Sequence, residues 1–494
     1  MDGHFRLSSQ PAGDPNPGYD GDFFPIAILG DFSGRTSRPQ NSLAPGVPVW
    51  ISCDNFESVF GRFDVTLSSK PAESGPKNSA LQFRRLEDFH PDELIHRIEP
   101  LSRLFDLRAR LLDPARAEAA VAEAHAILNV PVADTTPLPP ASTETTEELL
   151  TRLLGKPESR KPESPPAAST VERLIKQIVA PSAVPSATTE QSTLVQLVEN
   201  ELSVGLRQLL RDPDFQSLEA AWRAIDFLVR QTGDQIKLYL FDITKAELAT
   251  QVSAGDLRKT EIFKHLERIS PAVVLGLYTF GSGDQALLAA LGSLMESLAT
   301  SFVAGAGPEM VGCRSFGAQP DPDDWASESS LHEFDALRRL PQSVHLGLLA
   351  PRFLLRQPYG PDSDPIEAFA FQEVLADSEH EAYLWGNPSV LCGNLLADAF
   401  AAAGWNFDTR GGGQICGLPV HTFTADGETE VKPCAEAWLS ERAANVILNH
   451  GIMPVASIRG RDAVEIKTLQ SFSIPAKPLI IGSDGRARLR PSRG

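Results

Sequence analysis

The sequence has little of what most catalytic, secreted or membrane chemistry needs. No stretch of its 494 residues holds eighteen consecutive apolar side chains, so a helical membrane span is excluded. Its five cysteines (Cys53, Cys313, Cys392, Cys416, Cys434) are odd in number and scattered, with no CxxC. That argues against a disulfide framework or a zinc knuckle and fits a reducing cytoplasm. The ten histidines include no HxH or HxxxH pair, so no metal site is expected. Lys and Arg number 45 against 64 Asp and Glu, a net charge of −19. A nucleic-acid surface needs a basic footprint that this balance does not supply. The first 22 residues lack both the basic start and the apolar core of a signal peptide, and read as a disordered arm.

Sequence motifs for phosphate binding and nucleophilic catalysis are equally scarce. Asp31-Phe-Ser-Gly-Arg35 follows a strand-like run, but neither GxxxxGK[ST] nor GxGxxG is present, so a structural turn is favoured over a phosphate cradle. Gly411 to Gly413 is not followed by a helical Lys and reads as a tight turn. Cys416 and His421 stand five apart at the start of a strand, poor geometry for a nucleophile and base. His380 lies in the acidic stretch ADSEHEAY, and Asp242, Asp377, Glu379 and Glu381 form no recognisable acid/base couple. No catalytic, cofactor or metal residue is assigned.

What is present is a soluble α/β pattern, 42% hydrophobic and 22% charged, too long for one ordinary core. FPIAILGDF (24–32), PVWIS (48–52) and RFDVTL (62–67) read as strands, with Asp54 as a helix cap between the last two. Residues 89–112 place Leu94, Ile98, Leu101, Leu104, Phe105, Leu111 and Leu112 on one face of a helix, with a bend expected at Pro100. Leu194, Val198, Leu202, Leu206, Leu209 and Leu210 form the stripe of a second long helix. Runs at 235–243, 271–280 and 301–307 alternate with helical segments, and this β-α-β-α-β rhythm implies a parallel sheet covered by helices. SVHLGLLA (343–350) reads as a buried strand. Asn387–Ala403 reads as a helix with Val390, Leu391, Leu395, Ala399 and Phe400 in one stripe, ended by Gly404.

Between 131 and 192 the composition turns Pro- and Thr-rich, the mark of an extended linker. Two apolar islands, EELLTRLL (147–154) and VERLIKQIV (171–179), interrupt it with about two helical turns each. Limited trypsin digestion is expected to cut first near Arg152, Lys156, Arg160 or Lys161, leaving halves that co-elute; first cuts within 236–306 would contradict this division.

Several motifs, in order, resemble the large (TssC/VipB-like) subunit of the contractile sheath of bacterial type VI secretion systems. They are FQSLEAAWR (215–223), PRFLLRQPYG (351–360), YLWGN (383–387), AGWN (403–406), RGGG with GLPVHTF (410–423) and SERAANVILNHGIMPV (440–455). The matching positions are Trp222, Arg223, Pro351, Arg352, Arg356, Pro358, Tyr359, Trp385, Gly386, Asn387, Gly404, Trp405, Gly417, Leu418 and Pro419. The first part resembles the small (TssB/VipA-like) subunit, through ILGDFSGR with Gly30, Asp31, Gly34 and Arg35, through DNF (54–56), and through the leucine-rich stretch 86–111.

The chain therefore resembles an in-frame fusion, divided into an arm (1–22), a small-subunit-like region (23–130), a linker (131–192), a large-subunit-like region (193–478) and a basic tail (479–494). The resemblance implies a mixed α/β tail-sheath fold of two intertwined halves. It implies a structural, non-enzymatic cytoplasmic protein that self-assembles around an inner tube of hexameric rings and meets baseplate proteins. It also implies that the linker helices, through Leu149, Leu150, Leu153, Leu174, Ile175 and Ile178, are what an AAA+ unfoldase grips. The family's large subunit continues past the stretch matching 471–479, so a cap, adaptor or regulator of sheath assembly is the alternative expectation. PLIIG (478–482) reads as an edge strand, and the Arg486, Arg488, Arg490 and Arg493 that follow it read either as a solvated tail or as an arm for an acidic neighbour.

Overall fold

The structure, a computed structural model, describes residues 23–37, 47–68, 80–128, 189–253, 255–325, 332–375, 380–409, 411–425 and 427–482. The arm, residues 131–188 of the expected linker with its six candidate unfoldase residues, Asp377, Glu379 and the four tail arginines lie outside them, while 189–192, read as linker, already belong to a helix. The chain divides into two compact units: Met1–Leu94 with Leu206–Gly494, and Ile95–Gly205.

In chain order the strands are β1 (Phe24–Gly30), β2 (Val49–Ile51), β3 (Thr66–Ser68), β4 (Ala80–Gln82), β5 (Ile236–Asp242), β6 (Val273–Phe280), β7 (Phe302–Ala306), β8 (Leu346–Ala350), β9 (Phe353–Leu354), β10 (Trp385–Gly386), β11 (Gly413–Cys416), β12 (His421–Ala425), β13 (Glu428–Lys432), β14 (Ile452–Ser457) and β15 (Ala463–Ile466). The helices are α1 (Phe56–Arg62), α2 (Pro91–Arg97), α3 (Glu99–Leu112), α4 (Ala117–Leu128), α5 (Thr189–Leu210), α6 (Pro213–Gln231), α7 (Lys245–Val252), α8 (Glu261–Ile269), α9 (Gln285–Leu298), α10 (His332–Arg338), α11 (Ser389–Ala403) and α12 (Glu441–Asn449). None is long and apolar enough to cross a membrane.

The larger unit is built on a nine-stranded sheet in the order β11-β15-β14-β8-β7-β6-β1-β5-β2. From β14 to β5 all neighbours are parallel; β2, β15 and β11 are antiparallel additions at the two edges. The expected parallel sheet is there, but β5 and β6 are not neighbours. β1 lies between them, in register Phe24↔Ile236 to Gly30↔Asp242 on one side and Ile26↔Val273 to Leu29↔Gly276 on the other. All seven of its residues are buried, as a run of apolar residues covered on both faces requires. Ala27 and Leu29 face the core shared with α7, α8 and α9. The opposite face is closed by α11, which packs on β1, β6, β7 and α6. The mixed α/β class and the intertwining of the two halves are thus properties of the fold.

Several local expectations shift. The strand within 343–350 begins only at Leu346, because Pro341–His345 closes a 3-10 turn in which the Ser343 hydroxyl donates to Arg338 O (2.8 Å). In the turn before α1 it is the Asn55 side chain, not Asp54, that closes the turn, accepting from Ser52 N–H (2.7 Å). α11 is buried on more sides than one stripe, while Leu395 and Ala399 are only half-buried. PLIIG is not an edge strand. Leu479 is buried, Ile480 N–H donates to the Ser301 hydroxyl (3.1 Å) and Gly482 N–H to Ala272 O (2.9 Å). Truncation after Pro478 would therefore strip part of the body.

The smaller unit is helical. Residues 89–112 do not form one helix: Ile98 is extended and Pro100 opens α3, since Pro lacks the N–H of a continuing helix. The break re-phases the stripe, so Leu107 is buried and Leu112 is 51% exposed. In α5, Leu194, Val198 and Leu202 are buried at four-residue spacing. Ion pairs Arg108–Glu199 (2.6 Å) and Arg110–Glu123 (2.6 Å) and a His125–Glu190 hydrogen bond (3.0 Å) tie these helices together. A Cβ at Gly205 would stand 2.7 Å from Leu101 Cδ2, so α3 and α5 approach closely there.

Candidate functional site

The turn that follows β1 has the shape of an anion nest, and the chain's own carboxylates fill it. Asp242, at the end of β5, accepts from the backbone N–H of Phe32 (2.9 Å) and Ser33 (3.1 Å) and from the Ser33 hydroxyl (2.7 Å). Asp31 accepts from Arg35 N–H (2.7 Å), Thr36 N–H (2.7 Å) and the Thr36 hydroxyl (2.6 Å). The donors that would cradle a phosphate are thus already engaged. Burial pushes the Asp242 carboxyl above its ordinary value, against the lowering hydrogen bonds of Ser33 and Phe32. Arg35 Nε meets both Glu247 oxygens (3.1 and 3.0 Å), and that bond raises the guanidinium's pKa. Glu247 also completes the capping box of α7 with Thr244. Gly30 and Gly34 leave room for this turn. Gly34 sits at φ +77°, and a Cβ there would stand 2.1 Å from Thr66 O. Gly34→Ala is expected to lower stability by more than about 1 kcal/mol, read as a shift of the denaturant midpoint at unchanged slope.

Trp222 of α6 locks this turn. Its indole N–H donates to Phe32 O (2.8 Å). Phe32, Phe56, Phe60 and Phe63 surround its ring at centroid distances of 5.6, 5.9, 4.4 and 5.4 Å. All four come from the first part of the chain and Trp222 from the second.

A buried ionic network lies one turn along the same helix. Glu219, fully buried, accepts from Arg223 Nε (2.6 Å) and Arg356 Nε (2.9 Å). Arg356 also grips Glu373 with two bonds (2.7 and 2.9 Å) and lies 4.2 Å over the Tyr359 ring. Glu373 accepts from Tyr359 N–H (2.8 Å), and the Tyr359 hydroxyl takes a long bond from Arg223 (3.3 Å). Burial pushes the Glu219 carboxyl up, but the flanking Arg356 and Arg223 guanidiniums outweigh it and hold it below its ordinary value. Burial likewise pushes the Tyr359 phenol up, to about 12. Pro351 and Pro358, both buried, bracket this motif.

A third cluster joins Arg352, His380, Glu381, Lys432 and Glu436. Glu436 is paired with the Arg352 guanidinium and stands 3.0 Å from His380 Nε2. Burial raises its carboxyl, yet the His380 and Arg352 hydrogen bonds bring it down to about 2. With an ordinary value of 4.5, Glu436 stabilises the fold fully above pH 4.5 and loses that contribution as pH falls to about 2. The displacement corresponds to roughly 3 kcal/mol. Glu436→Gln should therefore flatten the acid limb of a stability-versus-pH curve. His380, Glu381 and Glu436 are close enough to share a cation. Lys432 Nζ, at 2.9 Å from His380 Nδ1, and Arg352 supply that charge instead.

The remaining motif residues serve turns and packing. Trp385 donates to His380 O (2.9 Å), and Asn387 donates to Tyr278 O (2.9 Å) while accepting from Ser389 N–H (3.0 Å). A Cβ at Gly386 would stand 2.8 Å from Phe353. Gly404 ends α11 at φ +58°, and Trp405 packs on Phe24 (5.5 Å) and Phe400 (5.2 Å). Gly417 turns the chain at φ +75°, Leu418 is buried with its N–H on Asp462 O (3.0 Å), and Pro419 is half-buried. Cys416 is exposed on β11, while His421 Nδ1 meets the Tyr383 hydroxyl at 2.9 Å. Sequence reasoning missed Glu219, Glu373 and Glu436. Only Glu219 left a signal, four residues before Arg223 on a helix.

These clusters define a class: a protein in which the turn after β1, held by Asp242, Glu247 and Trp222, binds two sequence halves into one sheet, while two ionic networks brace the second half. The tail sheath N-terminal domain family (EvpB/VC_A0108) matches residues 192–473, more than half of the chain. The family described as type VI secretion system, VipA, VC_A0107 or Hcp2 matches 23–138. The chain belongs to the type VI secretion tail-sheath family and joins its small and large subunits in one polypeptide. It is similar to the type VI secretion system sheath protein TssC1 of Pseudomonas aeruginosa, with 28% identity over 365 residues, covering 68% of this chain and 72% of that protein.

Proposed function

We propose that the chain is a structural, non-enzymatic sheath component that self-assembles in the bacterial cytoplasm around an inner tube of hexameric rings and stores the energy of contraction. The observation that carries this reading is β1, a strand of the small-subunit-like part inserted between β6 and β5 of the large-subunit-like part. One protomer of this chain then equals one heterodimeric sheath unit. Baseplate proteins at one end, and an AAA+ unfoldase acting on the 147–154 and 171–179 segments, belong to the same proposal. Negative-stain microscopy of the purified protein, with and without the products of its genomic neighbours, tests it: tubes or stacked rings support it, and particles of a single protomer under every condition overturn it.

The alternative of a cap, adaptor or regulator is favoured by one observation. The 479–482 segment folds back on the chain's own body and offers no outward strand. Assembly through the basic tail then rests on Arg486, Arg488, Arg490 and Arg493 alone. Replacing all four by Gln should reduce self-association at low salt and leave the melting temperature unchanged, because exposed ion pairs are screened beyond about 10 Å at 0.1 M. Sedimentation velocity that gives one mass distribution for both proteins at low and high salt would make the tail a bystander.

A further inference from the structure

Residues 470–478 form a small closed loop with an apolar tip. A bridge between Gln470 and Pro478 shuts its base. Inside it, Ser471 N–H donates to Lys477 O (2.7 Å), Lys477 N–H to the Ser471 hydroxyl (3.2 Å) and the Ser473 hydroxyl to Pro475 O (2.8 Å). Ile474 N–H donates to Arg338 O (2.9 Å), which seats the tip beside Leu340. Leu340 is 38% exposed and Ile474 40%, and Pro341, Pro475 and Ala476 are exposed with them. Arg339 and Lys477 stand exposed in the same two segments. The backbone of this knob is already fixed, so docking it costs little ordering entropy. Phe472 N–H donates to Leu346 O (2.7 Å), which places the knob at the end of the sheet where β8 begins.

A pocket of matching character opens beyond the other end of β8. Its walls follow β9 and precede β10, the strand pair that comes after the last residue of β8. It is a cavity of about 230 Å³ lined by Tyr359, Asp362, Val374, Leu375, Tyr383 and Phe423. That is smaller than the roughly 300–1,000 Å³ of a small-molecule site and suits a few side chains. Two carboxylates edge it. Asp362 is exposed, and the exposed Glu430 is the cross-strand neighbour of Phe423 in the hairpin β12–β13. We infer that the 470–478 knob of one copy docks in the Tyr359–Phe423 pocket of the next, with Arg339 and Lys477 meeting Asp362 and Glu430. The inference rests on the self-assembly reading and names its surfaces. The five residues of β8 set knob and pocket about 17 Å apart or more, so no copy fills its own pocket. Because the two surfaces differ, the contact is heterologous and joins copies head to tail, in a ring or an open helix.

Sedimentation velocity of the full chain, under the conditions in which the natural protein assembles, is the test. Ile474→Asp blunts the knob and Leu375→Asp the pocket. Both side chains are exposed, and the melting temperature checks that each variant folds. Each should raise the concentration for half-assembly at least about tenfold, the effect of losing a central apolar contact. An equimolar mixture of the two should form a two-chain species and stop there, since one intact knob meets one intact pocket. Lys477→Glu and Asp362→Lys, on the exposed rims, take their place if either fails to fold. Two variants that assemble like the natural protein overturn the inference and leave the sheath reading standing. So does loss in only one of them, or a mixture that stays as single chains, because the knob or the pocket then meets a different surface. A natural protein that stays a single protomer under every condition overturns the sheath reading itself, and the inference with it.

Discussion

Arg356→Met is expected to destabilise the protein by about 3–5 kcal/mol, the largest effect of any single substitution proposed. Arg356 is the shared partner of two buried carboxylates, with Glu219 fully buried and Glu373 1% exposed. Removing it leaves both carboxylates without their strongest counter-charge in a place water does not reach, and breaking one side of a buried pair typically costs this much. Arg223 still reaches Glu219, but among the described residues the Glu373 carboxylate keeps only the Tyr359 N–H. Adding Glu373→Gln to Arg356→Met should recover part of the loss, because it removes the stranded charge. Urea unfolding of the two single variants and the double gives the coupling energy. Additive effects within about 0.5 kcal/mol would mean the network holds no shared energy, and the placement of Arg356 between the two acids would then be incidental.

The second large effect is loss of folding on separating the halves. A fragment of residues 1–135 expressed alone should be insoluble or unfolded, and should recover when co-expressed with 190–494. In the fragment, β1 loses both hydrogen-bonded neighbours, β5 and β6, and an isolated buried strand has nothing to pair with. Phe32, Phe56, Phe60 and Phe63 lose Trp222 as well. The partner fragment in turn has a strand-wide gap between β5 and β6. A monodisperse 1–135 fragment with a cooperative melt would contradict this. Purified 190–494 should likewise show raised dye binding or aggregation.

How much of this was legible in the sequence depends on the range of the interaction. β1, β5, β6 and β7 are each short apolar runs between turn signals, and the helices between them keep the 3.6-residue period. Their existence followed from residues within about ten positions of each other. Gly404 as a helix stop was equally local, because backbone conformation at positive φ depends on the residue itself. The ordered motifs carried the family, since several spaced matches in one order rarely arise together.

The partners of those motifs were not legible. PRFLLRQPYG identifies Arg352 and Arg356, but nothing near either of them points to Glu436, 84 residues on, or to Glu219, 137 residues back. Acidic residues are common in this chain, and a buried one looks the same in sequence as an exposed one. The turn after β1 shows the same limit: ILGDFSGR announces a turn, while its filling by Asp242 comes from a strand 210 residues away.

By itself, then, the sequence determined the elements, their order, the charge balance and the membership in a family, because each rests on composition or short-range spacing. Tertiary structure alone decided that β1 enters between β5 and β6, that Leu107 and not Leu112 faces inward after the break at Pro100, and that 479–482 is part of the body. The physical reason is common to all three. Burial and hydrogen-bond satisfaction are properties of what surrounds a residue, and in a sheet assembled from both halves of the chain those surroundings come from far away in sequence.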